Sequence, residues 1–439
     1  MSKKIIVAGG GHGGIAAGML LAKAGFDVTL FEKKSRSDMG YDWADAFDAT
    51  AFEAVGIPMP PEESYEPGAN ITFVPPSENT IIAMPEGENT SIIMERKFLY
   101  DYLIGFAEEA GVKFKFESEI SAPLLAGDRV IGIKAGGKKH YADLVIDACG
   151  CESVIREALP DICGIQKHTA PGEKLYAYRG LFNKACDEVE SRYKVYLIPN
   201  GMMGLGWVIS EENHSDLLIG KFEPFTKEEA AETARFFREH NPVIGSELLR
   251  GGEIISIPVR HTLSVMVADG YAAVGDSAFM TIPLLGSGIS NALRAGAMLA
   301  ETVIADESET YSAETLWDYQ KKYFKEIGNS MSKFGVVRNI LPGLTAEQVD
   351  YLFDSRILTS DEMNISGGSL INIEPALIKK AAAIIKDRGL RSALLKAISD
   401  LGKLAANAAA MPKLYSRYKV QQWAKKYDEI FTPTDKKEE

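Results

Sequence analysis

Three glycines, Gly9, Gly11 and Gly14, stand in G-x-G-x-x-G spacing directly behind the apolar run Ile5-Ile6-Val7-Ala8. That spacing suits the holding of a diphosphate. It gives a tight turn, close approach of backbone to phosphate, and close packing of the next helix on the strand. The helix opens with Ile15-Ala16-Ala17, so its unpaired N–H groups face the anion. A second strand, Asp27 to Phe31, ends at Glu32, whose carboxylate is placed to accept hydrogen bonds from ribose hydroxyls. This order of strand, turn, helix, strand and acid predicts a dinucleotide-binding unit.

A second group of residues lies near 270. Tyr271-Ala272-Ala273-Val274 reads as a buried strand leading into Gly275-Asp276-Ser277-Ala278. Pro283, Gly286, Ser287 and Gly288 follow, then a helix from Ile289 to Val303 carrying the small residues Ala292, Ala295, Gly296 and Ala297. An Asp at a strand end can bond a ribityl hydroxyl. A glycine-opened helix N-terminus can face the N1–C2=O edge of a flavin, where reduction builds negative charge.

The elements that carry these residues belong to a chain of 439 residues, long enough for two or three domains. Hydrophobic residues at 46% and charged residues at 25% are ordinary globular values. No apolar run reaches the roughly 20 residues of a membrane span. The opening Met1-Ser2-Lys3-Lys4 runs at once into a strand, so no signal peptide fits and a cytoplasmic protein is expected. Four cysteines, Cys149, Cys151, Cys163 and Cys186, without a C-x-x-C pair, read as ordinary reduced thiols. A net charge of −13 argues against nucleic acid as a partner.

GDSAFMTIPLLGSGISNALRAGAMLAE resembles the second FAD motif of the para-hydroxybenzoate hydroxylase-type flavoproteins. Arg96 in RKFLYDYL is similar to that family's R-x-x-L-x-x-x-L helix, whose arginine contacts the FAD. Asp147-Ala148-Cys149-Gly150-Cys151-Glu152-Ser153-Val154-Ile155-Arg156 resembles its D-A-[ST]-G-x-x-S-x-x-R stretch. The resemblance covers residues 1 to 330. It implies an α/β fold built on a Rossmann-type FAD-binding domain, with a strand-rich substrate domain and a helical C-terminal extension. The implied FAD-binding residues are Gly9, Gly11, His12, Gly13, Gly14, Glu32, Lys33, Arg96, Gly150, Asp276, Pro283, Gly286, Ser287, Gly288 and Ile289.

Several features bear on the branch. Aromatic hydroxylases of this superfamily commonly place His where this chain has Phe279, and Asp-Gly where it has Cys149-Gly150. Gly204-Leu205-Gly206-Trp207-Val208-Ile209, then Leu217-Leu218-Ile219-Gly220, resembles a hairpin of geranylgeranyl reductases, as Tyr319 to Gly328 resembles their closing helix. Ser210 departs from that hairpin's Pro, and Tyr41-Asp42-Trp43-Ala44-Asp45 lacks the Cys-Gly pair usual in archaeal members. The expected activity is reduction of carbon–carbon double bonds in an apolar, isoprenoid-like substrate. A flavin monooxygenase and a flavin electron-transfer or scaffold protein are the alternatives. With no second nucleotide fingerprint, NAD(P)H and ferredoxin both stand as electron donors.

From the motif positions, the FAD-binding domain takes residues 1–65, 95–165 and 250–330. Strand-rich inserts take 66–94 and 166–249, and a helical extension takes 331–439. Period-two alternation in the second insert suits a sheet forming one wall of a pocket over the flavin. Tyr176, Tyr178, Tyr196 and Trp207 are its candidate aromatics, and Arg179 its candidate anion holder. No Ser-His-Asp set or metal-ligating cluster is legible, and no catalytic acid or base is assigned. Between Lys379 and Lys426 stand twelve Lys or Arg against Asp387 and Asp400, with helical apolar spacing at Leu390, Leu394, Leu395, Ile398, Leu401 and Leu404. That pattern fits contact with an anionic membrane surface, or a packed cap with solvated charges. The tail Thr434 to Glu439 reads as disordered.

Overall fold

A computed structural model describes residues 2–68, 70–84, 90–187, 191–359 and 385–432. Lys379, Lys380 and the tail Thr434 to Glu439 lie outside the described residues. Strand β1 (Lys4–Ala8) buries Ile5, Ile6, Val7 and Ala8, the continuous apolar run of a parallel strand covered on both faces. It pairs in parallel with β2 (Asp27–Phe31) on one side and with Leu144–Asp147 on the other; Val7 faces Leu30 and Ile146. Tyr271–Ala273 and Lys113–Lys115 extend the sheet, and Val267–Ala268 closes one edge antiparallel.

Helix α1 (His12–Lys23) follows the glycine turn. It crosses the helix Ile289–Ile304 so closely that a Cβ on Gly296 would lie 2.4 Å from the Gly13 carbonyl oxygen. That contact accounts for the small residues noted on the second helix.

A seven-stranded sheet forms the second layer, in the order Ile244–Pro258, Lys174–Lys184, His214–Lys221, Gly204–Ser210, Tyr193–Leu197, Ile71–Val74, Ile82–Ala83. Gly204–Ser210 and His214–Lys221 pair as the hairpin expected there. The expected domain boundary at 250 falls inside the single strand Ile244–Pro258, so residues up to 258 stay with this sheet. One face of the sheet carries the helix Lys227–His240, whose start is fixed by a capping box between Thr226 and Glu229. Its Phe237 packs edge-on against Tyr196, with ring centroids 5.1 Å apart. The other face looks toward the glycine turn.

Among the described residues the C-terminal region is helical as expected, but the expected boundary at 331 falls inside a helical run. Ala313–Tyr323, a π-turn at Phe324–Gly328 and Asn329–Arg338 follow one another without a break. The helices Arg388–Ala409 and Arg417–Phe431 turn their apolar faces inward. Trp423 is buried among Trp317, Phe324 and Tyr427, and its Nε1 donates to the Asn407 carbonyl at 2.9 Å. Among the described residues no helix is long and apolar enough to cross a membrane.

Truncating Trp423 should open a cavity in this aromatic cluster. Trp423→Ala is expected to cost about 3–5 kcal/mol of stability in denaturant unfolding. A change under about 1 kcal/mol would mean that the two C-terminal helices add little to the body.

Candidate cofactor and substrate cavity

The glycine turn is held by contact as much as by conformation. Gly9 has φ +89°, and a Cβ there would lie 2.5 Å from the Ala148 carbonyl oxygen. Only glycine meets both demands. A Cβ on Gly14 would lie 2.6 Å from the Ala148 side chain, so α1 sits directly on the strand ends. Glu32 accepts from the Gly10 N–H at 2.7 Å and the Lys34 N–H at 2.9 Å, which fixes its carboxylate at the edge of the turn.

Asp147, fully buried, ties the first glycine turn to the second. It accepts from Tyr271 Oη at 2.8 Å, Ser277 Oγ at 3.0 Å, Ser153 Oγ at 2.5 Å and the Cys149 N–H at 3.0 Å. Ser277 Oγ also meets the Gly150 N–H at 2.9 Å. Arg156, equally buried, donates to the Ser277 carbonyl at 2.6 Å and to the Cys151 carbonyl. Its guanidinium and that of Arg260 each stand over the Phe279 ring, at 4.7 and 4.6 Å from the centroid. Phe279 is thus a buried support behind the turn and not part of the cavity wall.

A cavity of about 790 Å³ opens between the glycine turns and the seven-stranded sheet. Gly11, His12, Gly13, Glu32, Arg96, Gly150, Asp276, Gly286, Ser287, Gly288 and Ile289 line it. Gly9 and Gly14 lie behind that surface as packing positions. Lys33 and Pro283 are corrections: Lys33 points to solvent beside the turn, where Lys34 lines the cavity instead, and Pro283 is buried behind the wall. Asp276 opens onto the cavity and accepts from Thr281 Oγ1 at 2.8 Å; enclosure by protein raises its carboxyl pKa. His12 packs at a tilt against Tyr100 with ring centroids 4.5 Å apart, and its Nε2 has no hydrogen-bond partner among the described residues. Burial, then the nearby Arg96 charge, pulls its pKa down to about 3, so the ring is neutral.

Strand parity decides the pocket candidates. Arg179 and Trp207 line the cavity. Tyr176, Tyr178 and Tyr196 do not: they sit one residue out of phase, on the face under the helix Lys227–His240. There Tyr178 and Tyr196 join the Phe237 cluster and Tyr196 Oη donates to Asn241 Oδ1 at 2.9 Å.

Arg179 is also not a vacant anion holder. Its Nε donates to Asp216 Oδ1 at 3.0 Å, its Nη1 to Asp45 Oδ1 at 2.9 Å and its Nη2 to the Ala44 carbonyl at 2.6 Å. Trp43 and Trp207 stand against the guanidinium at 5.2 and 5.6 Å. Asp45 in turn accepts from Arg96 Nε at 2.5 Å. Burial pushes the Asp45 pKa up, but the two guanidiniums outweigh it and the net shift is downward. Asp45, Asp216, Trp43 and Tyr193 were not read from the sequence as site residues. The only local signal was the period-two spacing of Tyr41, Trp43 and Asp45.

The residues present fit a flavin dinucleotide. The turn has no room for side chains on its packed side, an acid waits at the end of β2, and one buried imidazole nitrogen lacks a partner. Residues 7–46 match the family model of the NAD(P)-binding Rossmann-like domain. The chain is 22% identical over 460 residues to the digeranylgeranylglycerophospholipid reductase of Sulfolobus acidocaldarius, covering 98% of each chain.

Among solved structures, a geranylgeranyl bacteriochlorophyll reductase-like protein from Thermoplasma acidophilum aligns with a TM-score of 0.73 at 21% identity, over 91% of this chain and 99% of that one. The myxobacterial chondrochloren halogenase CndH, an FAD-dependent enzyme, aligns with a TM-score of 0.61 at 17% identity, over 99% and 98%. The chain thus has a Rossmann-like unit and shares, over most of its length, the fold of these reductase-like and FAD-dependent proteins. Sequence relatives matched over 80% or more of this chain are named digeranylgeranylglycerophospholipid reductases.

Asp45 is the shared partner of two largely buried cations, so Asp45→Asn should cost roughly 3–5 kcal/mol. Its folded pKa lies below the unfolded value, so its contribution is present above about pH 4 and fades as pH falls through the folded pKa. Unfolding free energies of the two proteins should therefore differ at pH 7 and converge in acid. A constant difference across that range would mean that Asp45 acts through packing alone.

Proposed function

We propose that the protein binds FAD in this cavity and reduces carbon–carbon double bonds of an apolar, isoprenoid-like lipid. The observation that carries the reading is the pairing of a dinucleotide cradle with a facing wall of hydrocarbon: Leu175, Leu218, Trp207, Val195 and Phe73. The reading is supported by the reductase relatives, whose names specify a digeranylgeranylglycerophospholipid. On this reading Gly11, His12 and Gly13, at the N-terminus of α1, hold the diphosphate, and Glu32 takes the adenosine ribose. Asp276 and Arg96 face the ribityl chain. Gly286, Ser287, Gly288 and Ile289 bring a helix N-terminus to the flavin's electron-rich edge.

When bound, the flavin supplies hydride transfer. The protein's own part is to exclude water and to orient the alkene against a wall that offers it no free charge, since Asp45 and Asp216 neutralise Arg179. Either NAD(P)H or ferredoxin serves as the electron source.

The purified protein should be yellow and release FAD on denaturation, and Glu32→Ala should weaken FAD more than FMN, which has no adenosine ribose. After anaerobic photoreduction, the flavin should be reoxidised by prenyl alkenes, while air should give peroxide and no oxygenated product. Substrate-dependent oxygen insertion would establish the monooxygenase reading instead. Reoxidation only by a protein partner would establish an electron carrier.

Peripheral contact with anionic lipid through residues 379–426 belongs to the same reading. Arg417 pairs with Asp128 and approaches Asp269, at the end of the parallel strands opposite the cavity. Lys386, Arg388 and Arg391 lie at the start of the preceding helix, Arg388–Ala409, beside Ile385 and Leu390, which pack in one cluster with Phe73 and Val195. This second group is the better placed for a bilayer that feeds the cavity. The double substitution R388E/R391E should reduce co-sedimentation with anionic liposomes at low salt several-fold. Unchanged binding, or none in the parent protein, would leave the region a packed cap.

A further inference from the structure

The hydrocarbon wall has a direction and a length. Arg179 faces Leu218, Leu218 faces Trp207, Trp207 faces Val195 and Val195 faces Phe73, each pair directly opposed on neighbouring strands. All five line the cavity, so they form one row running across the sheet, perpendicular to its strands. Four strand spacings of about 4.8 Å make the row about 19 Å long. The Arg179 end is charge-balanced by Asp45 and Asp216. The Phe73 end is blocked: Phe73 is only 4% exposed and belongs to one apolar cluster with Leu344, Val349, Leu352 and Phe353 from the C-terminal region.

We propose that the isoprenoid chain lies along this row and that Phe73 sets the longest chain the site accepts. The proposal rests on the reductase reading for its substrate class and adds the chain's path, its length and the residue that limits it. An extended carbon chain advances about 1.2 Å per bond, so one isoprene unit of four bonds spans roughly 5 Å. The row therefore holds about four units. A fifth meets the Phe73 ring and the helix Ala346–Asp354 behind it.

The flavin-loaded protein would be titrated with saturated isoprenoid alcohols of two to five units, with affinity measured by calorimetry. Affinity should rise roughly tenfold or more with each unit up to the fourth, as each buries further hydrocarbon, and then level off. Phe73→Ala should move the levelling point to five units. Val195→Trp, one strand nearer the Arg179 end, should move it to three or fewer. It also tests the row independently of Phe73, should the first variant fold poorly.

A levelling point unchanged in both variants, or affinity indifferent to chain length in the parent protein, would overturn the proposal. Graded binding without turnover of any prenyl alkene would leave the row standing and defeat the reductase reading. Turnover without graded binding would do the reverse.

Discussion

One carboxylate, that of Asp45, holds the two halves of the cavity in register. It lies between Arg96, on the helix that follows the first insert, and Arg179, on the second strand of the seven-stranded sheet, and Asp216 completes an alternating chain of two acids and two bases. A chain of this kind is stable only complete, because a single unpaired member would be a nearly desolvated charge. Its geometry therefore fixes the distance between the glycine turns and the hydrocarbon wall. Trp43 and Trp207 cover the Arg179 guanidinium and turn a strongly polar group into part of an apolar surface. The wall can then accept hydrocarbon even though an arginine stands at one end of its row.

Behind the cofactor side a second buried network makes one object of segments distant in the chain. Asp147 ends the strand next to β1 and gathers donors from Ser153, Tyr271 and Ser277. Arg156 fixes the same turn from the other side. The position of Asp276 is thus set by residues that never touch the cavity. Phe279, which in a comparison of motifs looks like a substitution at the reaction centre, has a structural reason instead: its ring separates two buried arginines. The preference for reduction over oxygenation accordingly rests on the hydrocarbon wall and the relatives, and not on that position.

Much of this was legible in the residues. The G-x-G-x-x-G turn, the acid after β2 and the Gly275–Ile289 stretch are local patterns, because binding a diphosphate through backbone N–H groups demands a contiguous turn and helix start. Period-two alternation likewise identified the second insert as a sheet. Neither the partners nor the orientation of that sheet was local. Asp45 and Arg179 are 134 residues apart, and Arg179 and Asp216 are 37 apart, so no spacing rule could pair them.

Alternation within Lys174–Lys184 shows that Tyr176 and Tyr178 face away from Arg179, but it does not say which face meets the cofactor. That was settled by the helix Lys227–His240, which covers the tyrosine side and leaves the Arg179 side to the cavity. The sequence determined which segments could bind a dinucleotide and which could form a wall, because both depend on neighbours within a few residues. The tertiary structure alone decided which side chains meet in the space between them, because burial and charge pairing are settled by whatever packs across that space.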